Sequence, residues 1–68
     1  MIPTDSEQIA RNLVELRAGK PRAEVATDLG ISVSALTMYE TGARIPRDEI
    51  KIKLAAYYGK SVQEIFFA

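Results

Sequence analysis

Four hydroxyl side chains, Ser32, Ser34, Thr37 and Thr41, lie along one short stretch of the chain, and basic residues flank it on both sides. Arg17, Lys20 and Arg22 precede it; Arg44, Arg47, Lys51 and Lys53 follow it. Residues 23–43 contain no Lys or Arg, only the acids Glu24, Asp28 and Glu40. The chain is therefore basic, then neutral or acidic, then basic. Its nine basic and nine acidic residues sum to a net charge of zero. A zero sum counts against binding a polyanion, because cations must neutralise phosphates, but the two basic clusters matter more than the total. Histidine and cysteine are absent. That removes most nucleophile–base pairs, the thiolate metal sites and disulfides. The carboxylates are scattered at helix ends, so no acid–base constellation can be assembled and an enzyme is the weakest reading.

The elements that must position these side chains are all helical. The 68 residues fit one domain, 1–68, with 47% hydrophobic residues, enough for a core but a small one. Ile9, Leu13 and Leu16 recur on one face of a first helix, with Thr4-x-x-Glu7 as a capping box and a stop near Ala18 and Gly19. Pro21 sits in the first turn of a second helix, which carries Val25, Ala26 and Leu29 and ends at Gly30. Ser32 caps a third helix, with Leu36 and Tyr39 inward, that stops at Gly42. Pro46 opens a fourth, where Asp48 and Glu49 suit the positive N-terminal end and Ile50, Leu54 and Tyr58 form the apolar face. Ser61-x-x-Glu64 is a capping box for a short fifth helix with Val62, Ile65 and Phe66. No stretch alternates long enough to be a strand, and the expected fold class is all-α.

Two short helices joined through Gly30, over about residues 22–42, form the informative unit. Small Ala26 lets the third helix approach, Gly30 permits a sharp turn, and Ile31, Leu36 and Tyr39 fill the angle. Such a pair crosses at roughly 90–120° and leaves the third helix projecting, in a form that fits the major groove of duplex DNA. The run Val25-Ala26-Thr27-Asp28-Leu29-Gly30-Ile31-Ser32 resembles the second helix and turn of Cro/C1-type (XRE-like) helix-turn-helix regulators. Tyr39-Glu40-x-Gly42-x-Arg44-x-Pro46 is similar to the end of their recognition helix and the loop after it. The segment from Leu54 to Phe66 is similar to their closing helices.

The resemblance implies a five-helix, lambda-repressor-like DNA-binding domain that acts as a small transcriptional regulator, without cofactor or metal. By the same resemblance Val33, Ser34, Thr37 and Met38 read base edges, while Arg22, Ser32, Thr41 and Arg44 touch phosphates, together with the backbone of residues 42–44. Arg22 stands where the family usually has glutamine, at a position that also braces the recognition helix. Val33 and Met38 replace polar residues, so they meet thymine methyl groups rather than making paired hydrogen bonds.

Glu40 is expected to pair with Arg11, Arg17 or Arg44. Ile65 and Phe66 are expected to face inward and Phe67 elsewhere, and Phe67, with Ile65, is expected in a two-fold interface built from the fourth and fifth helices. A homodimer of that kind sets two recognition helices about 34 Å apart, matching a palindromic operator in double-stranded DNA. No apolar run approaches the roughly 18 residues of a membrane span, and the N-terminus lacks the pattern of a signal peptide, so the expectation is a cytoplasmic protein without a membrane partner. The competing reading is a protein-interaction module on the same scaffold, an antitoxin or antirepressor partner, favoured by the zero net charge and the apolar pair Val33 and Met38.

Overall fold

The computed structural model describes residues 5–67, and over them five helices follow one another: α1 (Ser6–Arg17), α2 (Arg22–Leu29), α3 (Val33–Thr41), α4 (Asp48–Tyr58) and α5 (Val62–Phe66). Each apolar stripe is too narrow to be buried by one neighbour, so the helices share a core. α1 packs on α3 and α5, α2 on α3 and α4, and α4 on α5. Leu13, Val25, Leu36 and Leu54 are fully shielded at the centre, closed below by Ile65 and Phe66. No helix among the described residues is long and apolar enough to cross a membrane.

The helix ends follow the chemistry of exposed backbone amides. Asp5 caps α1, its carboxylate accepting from the Gln8 N–H at 2.8 Å. The expected Thr4 cap lies outside the described residues, and Asp5 fills the role because the helix begins at Ser6. Ser32 caps α3 by accepting from the Ala35 N–H at 3.0 Å. Ser61 and Glu64 form both halves of the expected capping box on α5. Ser61 donates its backbone N–H to Glu64, and this bond holds the Glu64 carboxyl below the usual carboxylate range.

Pro46 does not open α4. Arg47 occupies the extended cap position, and the helix starts at Asp48, so the proline ends the preceding loop and is buried there. Ile65 is 2% exposed and belongs to the core, which removes it from any surface between copies. Facing inward from a five-residue helix, it has no free side to offer. Asn12 of α1 fixes that helix by donating to the Ile65 carbonyl at 2.9 Å.

Two glycines set the geometry of α3. Gly30 takes the left-handed conformation (φ 71°), which lets the Ile31 N–H return to the Ala26 carbonyl and turns the chain sharply into α3. A Cβ at Gly30 would meet no atom within 4 Å, so the demand there is conformational. Gly42 (φ 82°) meets both conditions: it turns the chain out of α3 and brings its backbone against that of Ser6, 3.4 Å from where a Cβ would lie. The first helix stops where expected, at Ala18 and Gly19, both with positive φ. Ala18, not glycine, holds the left-handed cap position with φ 51°. Exchanging these preferences gives opposite outcomes: Gly30→Ala is expected to lower unfolding stability by about 1 kcal/mol, and Ala18→Gly to raise it by somewhat less. Urea titrations of the two variants check the signs.

Candidate nucleic-acid interface

The third helix has one face in the core and another in solvent, and the division follows its sequence. Leu36, Tyr39 and Glu40 are buried. Val33 is 45% exposed, Ser34 is exposed, and Thr37 and Met38 are half-buried. At 100° per residue, Val33, Thr37, Ser34 and Met38 span an arc of about 140°. The four expected base-reading positions therefore form one continuous outward surface, with Val33 and Met38 at its edges and the two hydroxyls between. The hydroxyls of Ser34 and Thr37 have no hydrogen-bond partner among the described residues, so both remain available to a ligand.

Glu40 anchors the inner side. Its side chain is fully buried, yet two guanidinium groups reach it. Arg17 Nε donates to both carboxylate oxygens, at 3.0 and 2.9 Å, and Arg22 Nε donates to Oε1 at 2.8 Å. Arg17 also donates from Nη1 to the Lys20 carbonyl at 2.8 Å, which ties the turn between α1 and α2 into the same cluster. Of the three expected partners only Arg17 is found. Arg11 lies near Glu7 and donates to Gln8 on its own helix, and Arg44 lies in the loop beyond α3. Arg22 is not among the partners expected for Glu40, although the resemblance gives its position a bracing role toward the recognition helix; from the first residue of α2 it provides that brace by reaching the end of α3. Its side chain remains 36% exposed, and the bond to Glu40 uses only Nε.

Tyr58 borders the cluster. Its hydroxyl is buried without a partner among the described residues. Burial first, and then the negative charge of Glu40, push the phenol above its ordinary value.

The other expected phosphate contacts separate into two groups. Ser32 is exposed and uses its oxygen as a helix-cap acceptor, so its proton is still free to donate. Thr41, by contrast, donates its hydroxyl to the Thr37 carbonyl at 2.9 Å. The Arg44 N–H is likewise directed inward, to the Met38 carbonyl at 3.2 Å. The Arg44 side chain stands exposed with that of Arg47, and neither has an ion-pair partner among the described residues. They rim a furrow of about 360 Å³ along the flank of α3, floored by Ile31, Ala35, Tyr39 and Ile50.

Lys51 and Lys53 do not line this furrow. Lys51 lies over the Phe67 ring at 5.0 Å, and Lys53 reaches the Leu29 carbonyl at 3.5 Å. The resemblance marks Arg44, but no spacing in the sequence separates these two lysines from Arg47; the packing of α4 on α5 and α2 does.

Removing one partner of a buried ion pair leaves an uncompensated charge, so the two arginines should differ in effect. Arg17→Met is expected to destabilise the fold by about 3 kcal/mol. Arg22→Met should cost clearly less, because Arg17 still satisfies both oxygens and Arg22 is the more exposed. Thermal or urea unfolding of both variants measures the order.

Comparison with known proteins agrees with this geometry. The helix-turn-helix family pattern matches residues 11–65, from α1 to within α5. Neither a curated protein nor a solved structure matches the chain. With α2 packed on α3 through the Gly30 turn, the five-helix order and a family match over most of its length, the chain belongs to the Cro/C1-type helix-turn-helix family of DNA-binding regulators.

Proposed function

We propose that this domain binds double-stranded DNA sequence-specifically and represses transcription by occupying an operator. The observation that carries the reading is the division of α3: its back is locked by Leu36, Tyr39 and the Glu40 clamp, and its outer arc is uncovered. A rigid helix with a free face is what insertion into the major groove requires. Val33, Ser34, Thr37 and Met38 contact base edges. Arg44 and the terminal nitrogens of Arg22 contact phosphates on either side, with the Ser32 hydroxyl as a neutral donor. Arg47, beside the same furrow, joins Arg44. Thr41 has a weaker claim, since its proton is already donated within the helix.

A homodimer matches this use, because two recognition helices one DNA turn apart multiply a modest single-domain affinity. Phe67 is half-buried, and Ile52 on the outer side of α4 is 61% exposed, so α4 and α5 retain apolar area that a second copy can cover. A cytoplasmic location accords with this role.

Selection of bound sequences from random duplexes, followed by affinity measurements at several salt concentrations, tests the reading. A palindromic consensus and a log–log salt slope corresponding to several phosphate contacts are expected. A preparation that captures only a protein partner and shifts no duplex in dilute salt would instead favour the interaction-module reading. Arg44→Ala should weaken binding to all sequences alike and reduce the salt slope by about 1, while Ser34→Ala and Thr37→Ala should change the preferred sequence. For the dimer, Ile52→Asp is expected to halve the sedimenting mass with helical content unchanged. An unaltered mass removes α4 from the interface.

A further inference from the structure

The outer arc of α3 lacks the side chains that usually discriminate bases. Residues 31–39 contain no Arg, Lys, Asn, Gln, Asp or Glu. The paired hydrogen bonds that distinguish guanine or adenine in the major groove need two donors, or a donor and an acceptor, on one side chain. Ser34 and Thr37 supply single hydroxyls, which bond to any of several base edges. Val33 is different in kind. It stands in the first turn of α3, the part of a recognition helix that reaches deepest into the groove, and nearly half its surface is exposed. An apolar group in that position gains nothing from the polar edges of guanine, adenine or cytosine, but it can bury the thymine C5-methyl, the only methyl the groove presents.

Resting on the DNA-binding reading above, we infer that this domain obtains its sequence preference mainly from thymine methyl groups, with Val33 as the principal specificity-determining residue and Met38 as a second, more shielded contact. The ligand is a duplex that places a thymine methyl against the N-terminal turn of α3. Ser34 and Thr37 add the smaller part of the preference, each through a single hydrogen bond to a base edge.

The test replaces thymine by uracil, which removes the methyl and leaves every hydrogen-bonding group in place. Starting from the duplex selected in vitro, each thymine is exchanged singly and the dissociation constant measured. At one or two positions the exchange should weaken binding about fourfold, the contribution of burying one methyl-sized group. Val33→Ala should erase the difference at one of these positions, while the remaining uracil effects persist. The exposure of Val33 makes this variant safe for folding, and its circular dichroism should match the parent. Equal affinity for thymine and uracil duplexes at every position would overturn the inference and leave the DNA-binding reading standing. So would a uracil effect that survives Val33→Ala and Met38→Ala alike. Failure to bind any duplex in dilute salt would remove both.

Discussion

A single buried carboxylate governs the arrangement of the functional surface. Glu40 lies near the C-terminal end of α3, where the helix dipole disfavours negative charge, and it is removed from water as well. Local physics opposes it twice. It is held there by Arg17 from α1 and Arg22 from α2, which together complete its hydrogen bonding. Such a cluster contributes less to net stability than its short distances imply, because desolvation offsets most of the attraction. Its effect is positional. The carboxylate cannot leave its two partners without becoming an unpaired buried charge, so α3 is fixed at one angle relative to both preceding helices. That angle decides which residues face outward.

The clamp also reconciles a net charge of zero with a polyanionic ligand. Several of the charges are paired within the chain: Arg17 and Arg22 with buried Glu40, and at the surface Lys20 with Glu24 and Lys51 with Asp48, Lys51 also lying over the rings of Phe66 and Phe67. Asp28, at the end of α2, accepts from the Tyr57 hydroxyl at 2.7 Å. What remains beside α3 is locally positive, with Arg44 and Arg47 exposed and the outer part of Arg22 available. Phosphate attraction depends on this local field, screened over about 10 Å at moderate salt, and not on the sum over the chain. Uncharged groups then occupy the centre of the surface, where base edges carry no net charge to neutralise.

The small size of the domain explains why so many polar groups serve as fasteners. Five short helices cannot bury large apolar areas, so caps, the Asn12 bond to α5 and the Tyr57 link between α4 and α2 supplement the core. The same economy places one glycine at the end of α2 and another at the end of α3, where the backbone has to turn within a residue or two. Ala18 shows that the rule is a preference and not a necessity, since an alanine at the end of α1 accepts the strained conformation.

How much of this was open to sequence reasoning depended on the range of the interaction. Helical periodicity, the Ser32 cap, the Ser61–Glu64 box and the Gly30 turn are local, involving residues within a few positions of one another, and the sequence alone determined all of them. It also determined the family and the outward register of Val33, Ser34, Thr37 and Met38, because an apolar stripe at Leu36 and Tyr39 leaves only one side free. The choice among several equivalent partners was decided by tertiary structure. Glu40 could reach more than one arginine until the α1–α2 turn placed Arg22 beside Arg17. The resemblance singles out Arg44, but Lys51 and Lys53 were not separable from Arg47 until the packing of α4 set the lysines against Phe67 and the Leu29 carbonyl. In a helix of barely more than one turn, Ile65 is expected both to face inward and to share an interface between copies, and the packing of α5 leaves it only the core. Charges and short helices carry too little directional information of their own, and only the packed neighbours supply it.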